Sequence, residues 1–351
     1  MTDVLDDLRT AGAPASAPAV PVLELDRVQA RLSTPRGALT AVDGVSLRLG
    51  AGETIGIVGE SGSGKSVLMR TVMNVLPFDA EVSGTVRFDG ADVSELTHGR
   101  RRHLFGNDLA MSFQDSLSSL NPVRRVGQQI ADPLRYHRGL PRRAARARAL
   151  EVLELVRIAE PQRRIRQYPH ELSGGMRQRV MLAMAIACEP KVLIADEPTT
   201  ALDVTVQGQI LDLLAALQHE LGMAMILISH DLSVVAGRTD RVFVMYGGQV
   251  VEQAPTARFF AAPRHPYTRA LIDAAPSIDT PAHTPLPTIA GTPVDMTAPP
   301  AGCRFAARCP RVHARCLEAA PPLIADGDAI VACWAPIEPP VGVPASSASG
   351  A

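Results

Sequence analysis

Apolar and polar positions alternate along the first part of the chain that has a clear pattern. Residues 22–32 (VLELDRVQARL) alternate in the way typical of an edge strand with one buried face. Residues 41–53 (AVDGVSLRLGAGE) predict a strand, a turn and a second strand. The sequence therefore predicts an antiparallel β subdomain at the start of the folded part.

Short, almost wholly apolar runs predict a second kind of sheet further along the chain. They lie at residues 54–59, 192–195 and 224–229. The first run leads into glycines and then into a helix predicted over residues 65–76. Strands buried on both faces are typical of parallel sheets that are covered by helices. We therefore expect a parallel α/β core.

A helical segment separates the first of these strands from the others. Residues 141–159 (PRRAARARALEVLELVRIA) have helical periodicity, with arginines along one face. A solvated helix face is the ordinary interpretation of such arginines, and docking on a partner or on lipid is the alternative. We expect a helical subdomain at about residues 115–185, within a larger domain of residues 22–262.

The two ends of the chain differ from its middle. Residues 1–21 and 336–351 include Ala-, Pro- and Ser-rich stretches without periodicity, which predict disordered tails. After about residue 263 the chain becomes Pro-rich and then holds four of its five cysteines. We expect a separate small domain over residues 263–335.

Composition limits the class of protein. The chain has 351 residues, of which 46% are hydrophobic and 20% charged, and its net charge of −1 gives no global basic field that would favour nucleic acid. No apolar run approaches the ~18 residues that span a bilayer. The first ten residues are acidic, where a signal peptide would be basic. These features predict a cytoplasmic protein, with docking on a membrane surface left open.

A glycine-rich loop is the strongest chemical motif. Residues 59–66 (GESGSGKS) fit the pattern G-x-x-x-x-G-K-[ST] between a buried strand and a helix, and we call them the phosphate loop. Backbone N–H groups and the helix N-terminus of such a loop can cradle phosphate oxygens. Lys65, one of only two lysines, would reach the β- and γ-phosphates, and Ser66 would hold Mg²⁺. The candidate ATP-binding residues are Gly59, Glu60, Ser61, Gly62, Ser63, Gly64, Lys65 and Ser66.

An acidic pair follows the second apolar run. In residues 191–197 (KVLIADE), a buried strand would carry Asp196 and Glu197 to its carboxyl end, beside the phosphate loop. Asp196 would bind Mg²⁺ through water, and Glu197 would act as the general base toward the attacking water. Taken alone, such a pair is more often a helix cap; together with the loop it predicts a catalytic site.

A third motif lies between these two. Residues 172–179 (LSGGMRQR) place Ser173, Gly174 and Gly175 at the start of a helix, which is a second anion-binding end or an ordinary N-cap. The three motifs in this order resemble the ATP-binding cassette (ABC) ATPase family over about residues 22–255. In that family the signature faces the phosphate loop of a partner subunit. The resemblance implies an α/β fold with a RecA-like parallel-sheet core, an antiparallel β subdomain and a helical signature subdomain, followed here by the small Cys-containing C-terminal domain.

The same resemblance assigns further residues. Gln114 is similar to the Q-loop glutamine, which contacts Mg²⁺ and senses the membrane subunit, Asp203 to the D-loop aspartate, and His230 to the switch histidine at the γ-phosphate. Two positions depart from the family pattern. Leu32 occupies the position where an aromatic residue often stacks on adenine, and Met176 replaces the commonest signature glutamine.

Other segments resemble a narrower group, the ATP-binding subunits of oligopeptide and dipeptide permeases. They are residues 119–122 (SLNP), 168–179 (YPHELSGGMRQR), 245–252 (MYGGQVVE), 265–271 (HPYTRAL) and 289–310, which include PPAGCRFAARCP. This resemblance implies peptide import at the cytoplasmic face of the membrane. The expected partners are a second, related ATPase that forms a heterodimer with this chain, two permease subunits and an extracytoplasmic solute-binding protein, with no nucleic acid. Nickel or another small solute is the alternative cargo.

Four cysteines raise the question of a metal. Cys303, Cys309, Cys316 and Cys333 have the spacing C-x5-C-x6-C-x16-C, which lacks the C-x2-C pairs of most zinc ribbons. Their pattern resembles the 4Fe–4S motif of some peptide-permease ATPases; zinc and free thiols remain alternatives. Cys188 stands apart and is predicted to be a core thiol.

Two other functions compete with the transporter. A nucleic-acid or translation factor of the same ATPase family would need two cassettes or a basic patch, and the sequence has neither. A metal or redox sensor would use nucleotide only as a switch, and its activity would follow the state of the cysteines.

Overall fold

The computed structural model describes residues 20–35, 37–113, 119–200, 202–275 and 287–338. The strands are β1 Leu23–Thr34, β2 Gly37–Leu49, β3 Thr54–Val58, β4 Glu81–Phe88, β5 Ala91–Asp92, β6 Leu109–Ser112, β7 Val192–Asp196, β8 Ala224–Ser229, β9 Arg241–Tyr246, β10 Gln249–Pro255, β11 Ile324–Asp326 and β12 Ala329–Val331. The α-helices are α1 Lys65–Val72, α2 His98–Leu104, α3 Val126–His137, α4 Arg142–Leu155, α5 Pro161–Arg164, α6 Gly174–Ile186, α7 Val204–Leu221, α8 Leu232–Val235, α9 Thr256–Ala261, α10 Pro266–Ala274 and α11 Ala314–Glu318. Short 3₁₀ helices lie at Pro169–Glu171 and Ala306–Arg308.

A four-stranded antiparallel sheet, in the order β2-β1-β4-β5, forms the predicted β subdomain. The expected position of β1 is wrong: this strand pairs on both sides, with β2 and β4, and is not an edge strand. Alternation reports one buried face of a strand and carries no information about its neighbours in the sheet. The second strand expected within residues 41–53 is also wrong: a turn follows β2 at Ala51 and Gly52, and the next strand, β3, begins at Thr54. Gly44, at φ +69°, lies inside β2 near an irregularity in the β1–β2 register, and β2 continues to Leu49.

The second sheet has eight strands in the order β11-β12-β10-β9-β3-β8-β7-β6. Strands β6, β7, β8, β3 and β9 are parallel, and β3, β7 and β8 are buried at every position, which confirms the parallel core. Helix α1 is shorter than expected: it ends at Val72, because Asn74 takes a left-handed conformation at φ +54°. The carboxyl ends of β3, β7 and β8 meet at one edge of the sheet.

Helices α3 to α6 occupy the segment where the helical subdomain is expected. Within residues 141–159 the α-helix covers Arg142–Leu155, and Arg142, Arg143 and Arg146 on it are exposed, as the solvated-face interpretation predicts. In the described part of the chain, no helix combines the length and apolar character that a bilayer span requires. Nearly all of the two tails predicted to be disordered lies outside the described residues.

The Cys-containing C-terminal region adds to the second sheet. Strand β12 pairs with β10, and β11 pairs with β12, so this region extends the eight-stranded sheet at its antiparallel edge. Tyr267, Phe305 and Ala329 are buried in the same apolar core as the helical subdomain. The region at 263–335 thus shares a sheet and a core with the chain before it, and its status as a separate domain stays a prediction.

Candidate nucleotide-binding site

The phosphate loop connects β3 to α1 in a conformation that only glycine supports at two positions. Gly59 lies at φ +152°, and a Cβ atom there would be 2.2 Å from the carbonyl oxygen of Met245. Gly64 lies at φ +102°, and its Cβ would be 2.3 Å from the carbonyl oxygen of Ala41. Gly64 is the N-cap of α1 and, as a glycine, has no side chain that could cap the first turn. N–H groups at a helix start that lack such a cap suit a phosphate ligand.

The Lys65 ammonium lies inside the loop. Its Nζ donates hydrogen bonds to the carbonyl oxygens of Gly59, at 2.7 Å, and of Glu60, at 3.0 Å. Burial lowers the pKa of Lys65, and the negative charges of Glu197, Asp196 and Glu60 oppose that shift. The loop carbonyls thus hold the only lysine of this site next to three carboxylates.

Ser66 and Asp196 meet as the sequence predicts. Ser66 Oγ donates a hydrogen bond of 2.9 Å to Asp196 Oδ1, while Asp196 Oδ2 is buried and has no hydrogen-bond partner among the described residues. Burial raises the pKa of Asp196. A hydroxyl oxygen beside an unsatisfied carboxylate oxygen fits Mg²⁺, which binds one or two protein oxygens and takes further ligands from water and substrate phosphates.

Glu197 and His230 face each other at the ends of β7 and β8. His230 Nδ1 lies 3.2 Å from Glu197 Oε1, and Thr200 Oγ1 donates to Glu197 Oε2 at 2.9 Å. The backbone of Glu197 is left-handed at φ +47°, and its N–H donates to the carbonyl oxygen of Ile228 at 3.1 Å. A left-handed backbone at a residue other than glycine is strained, and such strain is frequent at functional sites.

The signature residues and Asp203 lie at two neighbouring helix N-termini. Ser173 caps α6 by accepting from the N–H of Met176 at 3.4 Å, which is the N-cap that the sequence offered as its ordinary interpretation. Asp203 caps α7 by accepting from the N–H of Val206 at 3.0 Å. A Cβ atom on Gly175 would lie 2.8 Å from Val206 Cγ1. The two helix ends therefore pack against each other.

The roles of Gln114 and Leu32 stay predictions. Gln114 lies outside the described residues, although the end of β6, which precedes it, pairs with β7. Leu32 lies half-buried on β1, opposite Leu39 of β2. Its place at the adenine ring stays a prediction.

The structure adds two contacts to the loop that sequence reasoning missed. The N–H of Glu60 donates to Tyr267 Oη at 2.8 Å. The Glu60 carboxylate forms a two-point ion pair with Arg308, whose Nη1 lies 2.7 Å from Oε2 and whose Nη2 lies 3.0 Å from Oε1. Both partners belong to motifs that the sequence reveals, HPYTRAL and CRFAARC, but neither spacing indicates a contact with the loop.

The four C-terminal cysteines line one small pocket, which we call the thiol pocket. It is formed by the side chains of Cys303, Cys309, Cys316 and Cys333, with His265 and Trp334 also in its wall. Burial raises the pKa of Cys303 and Cys309, and raises that of Cys333 to about 11. Over the described ranges, no three Cys, His, Asp or Glu side chains are arranged so that they could hold a metal ion. Cys188 is buried elsewhere, as predicted.

This fold and this loop define an ATP-binding cassette. Residues 42–200 match the family described as ABC transporter, and residues 251–316 match the oligopeptide/dipeptide transporter C-terminal region. The oligopeptide transport ATP-binding protein OppD of Bacillus subtilis is 44% identical over 92% of this chain and 93% of its own length. OppD of Salmonella typhimurium is 43% identical over 92% and 96%, and the dipeptide transport ATP-binding protein DppD of B. subtilis is 45% identical over 89% and 94%.

The chain belongs to the ABC transporter family, in the branch that carries the oligopeptide/dipeptide transporter C-terminal region, and it is an ABC-type ATPase. Solved structures agree with the fold. The dimeric, ADP- and phosphate-bound cassette MJ0796 covers 67% of this chain and 98% of its own, with 28% identity and a TM-score of 0.59. CbiO1 from Clostridium perfringens covers 69% and 91%, with 30% identity and a TM-score of 0.58.

Proposed function

We propose that this chain hydrolyses ATP to energise the import of di- and oligopeptides through a membrane permease. The observation that carries the hydrolytic part is the meeting of the phosphate loop, Asp196, Glu197 and His230 at one edge of the parallel sheet. The peptide cargo is supported by relatives named as oligopeptide and dipeptide transport ATP-binding proteins.

The residues have separate roles in this proposal. The loop N–H groups and Lys65 bind the phosphates of ATP. Ser66 and Asp196 hold Mg²⁺, which when bound neutralises charge on the phosphates. Glu197 accepts a proton from the water that attacks the γ-phosphorus, so that ADP and phosphate leave. His230, 3.2 Å from the Glu197 carboxylate, orients that carboxylate and the γ-phosphate.

A second subunit completes the site. We infer that Ser173, Gly174, Gly175 and Asp203 face the nucleotide of a related ATPase, in a heterodimer bound peripherally to two permease subunits, with a solute-binding protein on the other side. The neighbouring caps of α6 and α7 support this inference, because they form one surface with two helix N-termini. Gln114 would then transmit the state of the site to the permease.

Uptake tests the cargo. Cells whose own copy carries Glu197→Gln should bind ATP normally but hydrolyse it about 10²- to 10³-fold more slowly, because the general base is lost. Uptake of labelled di- and oligopeptides should fall accordingly, while nickel uptake in the same cells should be unchanged. Normal peptide uptake with impaired nickel uptake would move the assignment to metal import.

We further propose that the thiol pocket holds a 4Fe–4S cluster with a structural role. Four thiols and no carboxylate line the pocket, and thiolates are the usual ligands of such clusters.

Anaerobic purification followed by iron, sulfide and zinc analysis tests this assignment. About four irons and four sulfides for each chain are expected, with the count reduced in Cys309→Ser. The matched control is Cys188→Ser, since Cys188 lies outside the pocket. A colourless, metal-free and folded protein would refute the cluster. One zinc for each chain would show that the pocket is a zinc site instead.

A further inference from the structure

Glu60 of the phosphate loop is fixed by the C-terminal region at two points. Tyr267 Oη accepts its backbone N–H, and the Arg308 guanidinium binds both oxygens of its carboxylate. Only 3% of the Arg308 side chain is exposed. Its guanidinium also donates to the carbonyl oxygens of Ile289, at 3.0 Å, and of Ala290, at 2.9 Å. Because the guanidinium is held at all of these points, the two-point pair fixes the orientation of the Glu60 carboxylate.

Glu60 in turn holds the lysine of the site. Its carbonyl oxygen accepts a hydrogen bond from Lys65 Nζ at 3.0 Å. The N–H, the carbonyl and the side chain of this one residue are therefore all engaged. If the backbone of Glu60 shifts, the Lys65 ammonium loses an acceptor and its place beside the phosphates.

Arg308 and Tyr267, which fix Glu60, both neighbour residues of the thiol pocket. Arg308 directly precedes Cys309, and Phe305 lies between Cys303 and Arg308. Phe305 is in the wall of the thiol pocket, and its ring is 5.3 Å from that of Tyr267.

A second connection runs through His265. This buried side chain lies in the wall of the thiol pocket, and its Nδ1 accepts the N–H of Tyr267 at 3.0 Å, which caps α10. The position of the Tyr267 hydroxyl thus depends on a residue that borders the thiols.

We infer that Arg308 and Tyr267 are positioning residues that hold Glu60, and through it Lys65, in the geometry that binds nucleotide. The C-terminal region thereby sets the affinity of the cassette for ATP. The inference rests on the proposed role of the phosphate loop. It predicts that changes at Arg308 act on nucleotide binding more than on the chemical step.

The test uses the full chain in its assembled transporter, with ATPase rates measured over a range of ATP concentrations. Arg308→Gln should raise KM for ATP about tenfold and change kcat less than about threefold, because bound nucleotide restores the loop. Arg308→Lys should recover part of this loss. Tyr267→Phe removes only the acceptor oxygen, so it should fold normally and raise KM about threefold.

Arg258→Gln is the matched control. Arg258 is also a poorly exposed arginine of the C-terminal half and pairs with Asp326 and Asp328, but none of these partners belongs to the loop. This variant should lower Tm and leave KM for ATP unchanged. If Arg308→Gln lowers Tm in the same way without raising KM, or if Arg308→Gln does not fold and Tyr267→Phe leaves KM within twofold of wild type, the inference is wrong.

A double substitution separates a local effect from a general one. In a Glu60→Ala background both acceptor oxygens are already lost, so adding Arg308→Gln should change KM by less than twofold. Additive effects would overturn the inference, because Arg308 would then act through another route. A different result would show that the phosphate loop itself is wrongly assigned. In that case Lys65→Ala would leave ATP binding intact, whatever the effect of Arg308→Gln.

Discussion

Burial of the Asp196 carboxylate is unfavourable for folding of the metal-free chain. Asp196 is fully buried, one of its oxygens accepts from Ser66, and the other has no hydrogen-bond partner in the part of the chain that the structure describes. Burying a carboxylate with an unsatisfied oxygen disfavours folding unless a cation is bound. The residue proposed to hold Mg²⁺ therefore destabilises the metal-free protein.

Asp196→Asn should consequently stabilise the metal-free chain at neutral pH. We expect a rise of about 1 kcal/mol in the free energy of unfolding, because the amide keeps an acceptor for Ser66 and carries no charge. Thermal unfolding with and without Mg²⁺ and ATP measures it. With both ligands present the order should reverse, since only wild type binds the metal. A metal-free variant less stable than wild type would contradict the prediction.

The same substitution predicts a pH dependence. Burial raises the pKa of Asp196 above its ordinary value of 3.8, so the folded chain binds this proton more tightly than the unfolded chain. The contribution of a group with a raised pKa is lost as the pH rises through its folded pKa. The stability difference between Asp196→Asn and wild type should therefore be largest at neutral pH and shrink on acidification toward 3.8. A constant difference across that window would show that ionisation is not the cause.

At the scale of elements, the phosphate loop is held by close backbone contacts. Gly64 touches the β subdomain at Ala41, and Gly59 touches β9 at Met245. Gly62 has an equally unusual φ of +79°, but a Cβ atom there would meet no atom of the described residues within 4 Å. The loop is thus fixed at its two ends and open in the middle, where a phosphate would lie.

Gly64→Ala and Gly62→Ala form a matched pair. We expect Gly62→Ala to cost about 1 kcal/mol, which is the strain of a left-handed alanine. Gly64→Ala should cost about 3 kcal/mol or more, because its Cβ would overlap the carbonyl oxygen of Ala41 and backbone must move. Urea unfolding of the two variants compares them directly, and equal losses would contradict the described packing.

The strands of the core could be predicted and the order of the β subdomain could not. Strands β3, β7 and β8 could be identified because a parallel strand that is buried on both faces appears in the sequence as a short apolar run. Each of these runs ends beside candidate site residues. The pairing of β1 on both sides, and the in-strand position of Gly44, depend on tertiary partners that alternation does not encode.

At the scale of the molecule, a buried carboxylate joins the C-terminal region to the cassette. Glu252 on β10 is fully buried, and its two oxygens accept the N–H groups of Arg264 and His265, each at 2.8 Å. Burial raises the pKa of Glu252. The chain thus turns from β10 toward α10 around a side chain that satisfies two buried donors.

Glu252→Leu should therefore destabilise the whole molecule by about 3 kcal/mol, because two backbone N–H groups lose their acceptor. Glu252→Gln keeps one acceptor oxygen and should cost about 1 kcal/mol. Differential scanning calorimetry of both variants tests the difference. If Leu is tolerated as well as Gln, the two hydrogen bonds do not hold the region in place.

The sequence also predicts some residues of the candidate site and not others. Ser66, Asp196, Glu197 and His230 could be placed together because each lies at the carboxyl end of a parallel strand or in the first turn of the next helix, and these strand ends meet at one edge of the sheet. Arg308 could not, since its contact with Glu60 joins segments 248 residues apart that no pattern of strands relates. Long-range side-chain pairs of this kind are visible only in the folded chain.

The ion pair between Glu60 and Arg308 also limits how these two positions can vary in evolution. Position 60 is one of the four unrestricted positions in the pattern G-x-x-x-x-G-K-[ST], so the motif by itself permits any residue there. In this chain the choice is not free, because a buried guanidinium at position 308 requires an acid opposite. Among descendants that keep the C-terminal region, we expect residues 60 and 308 to be replaced together or not at all.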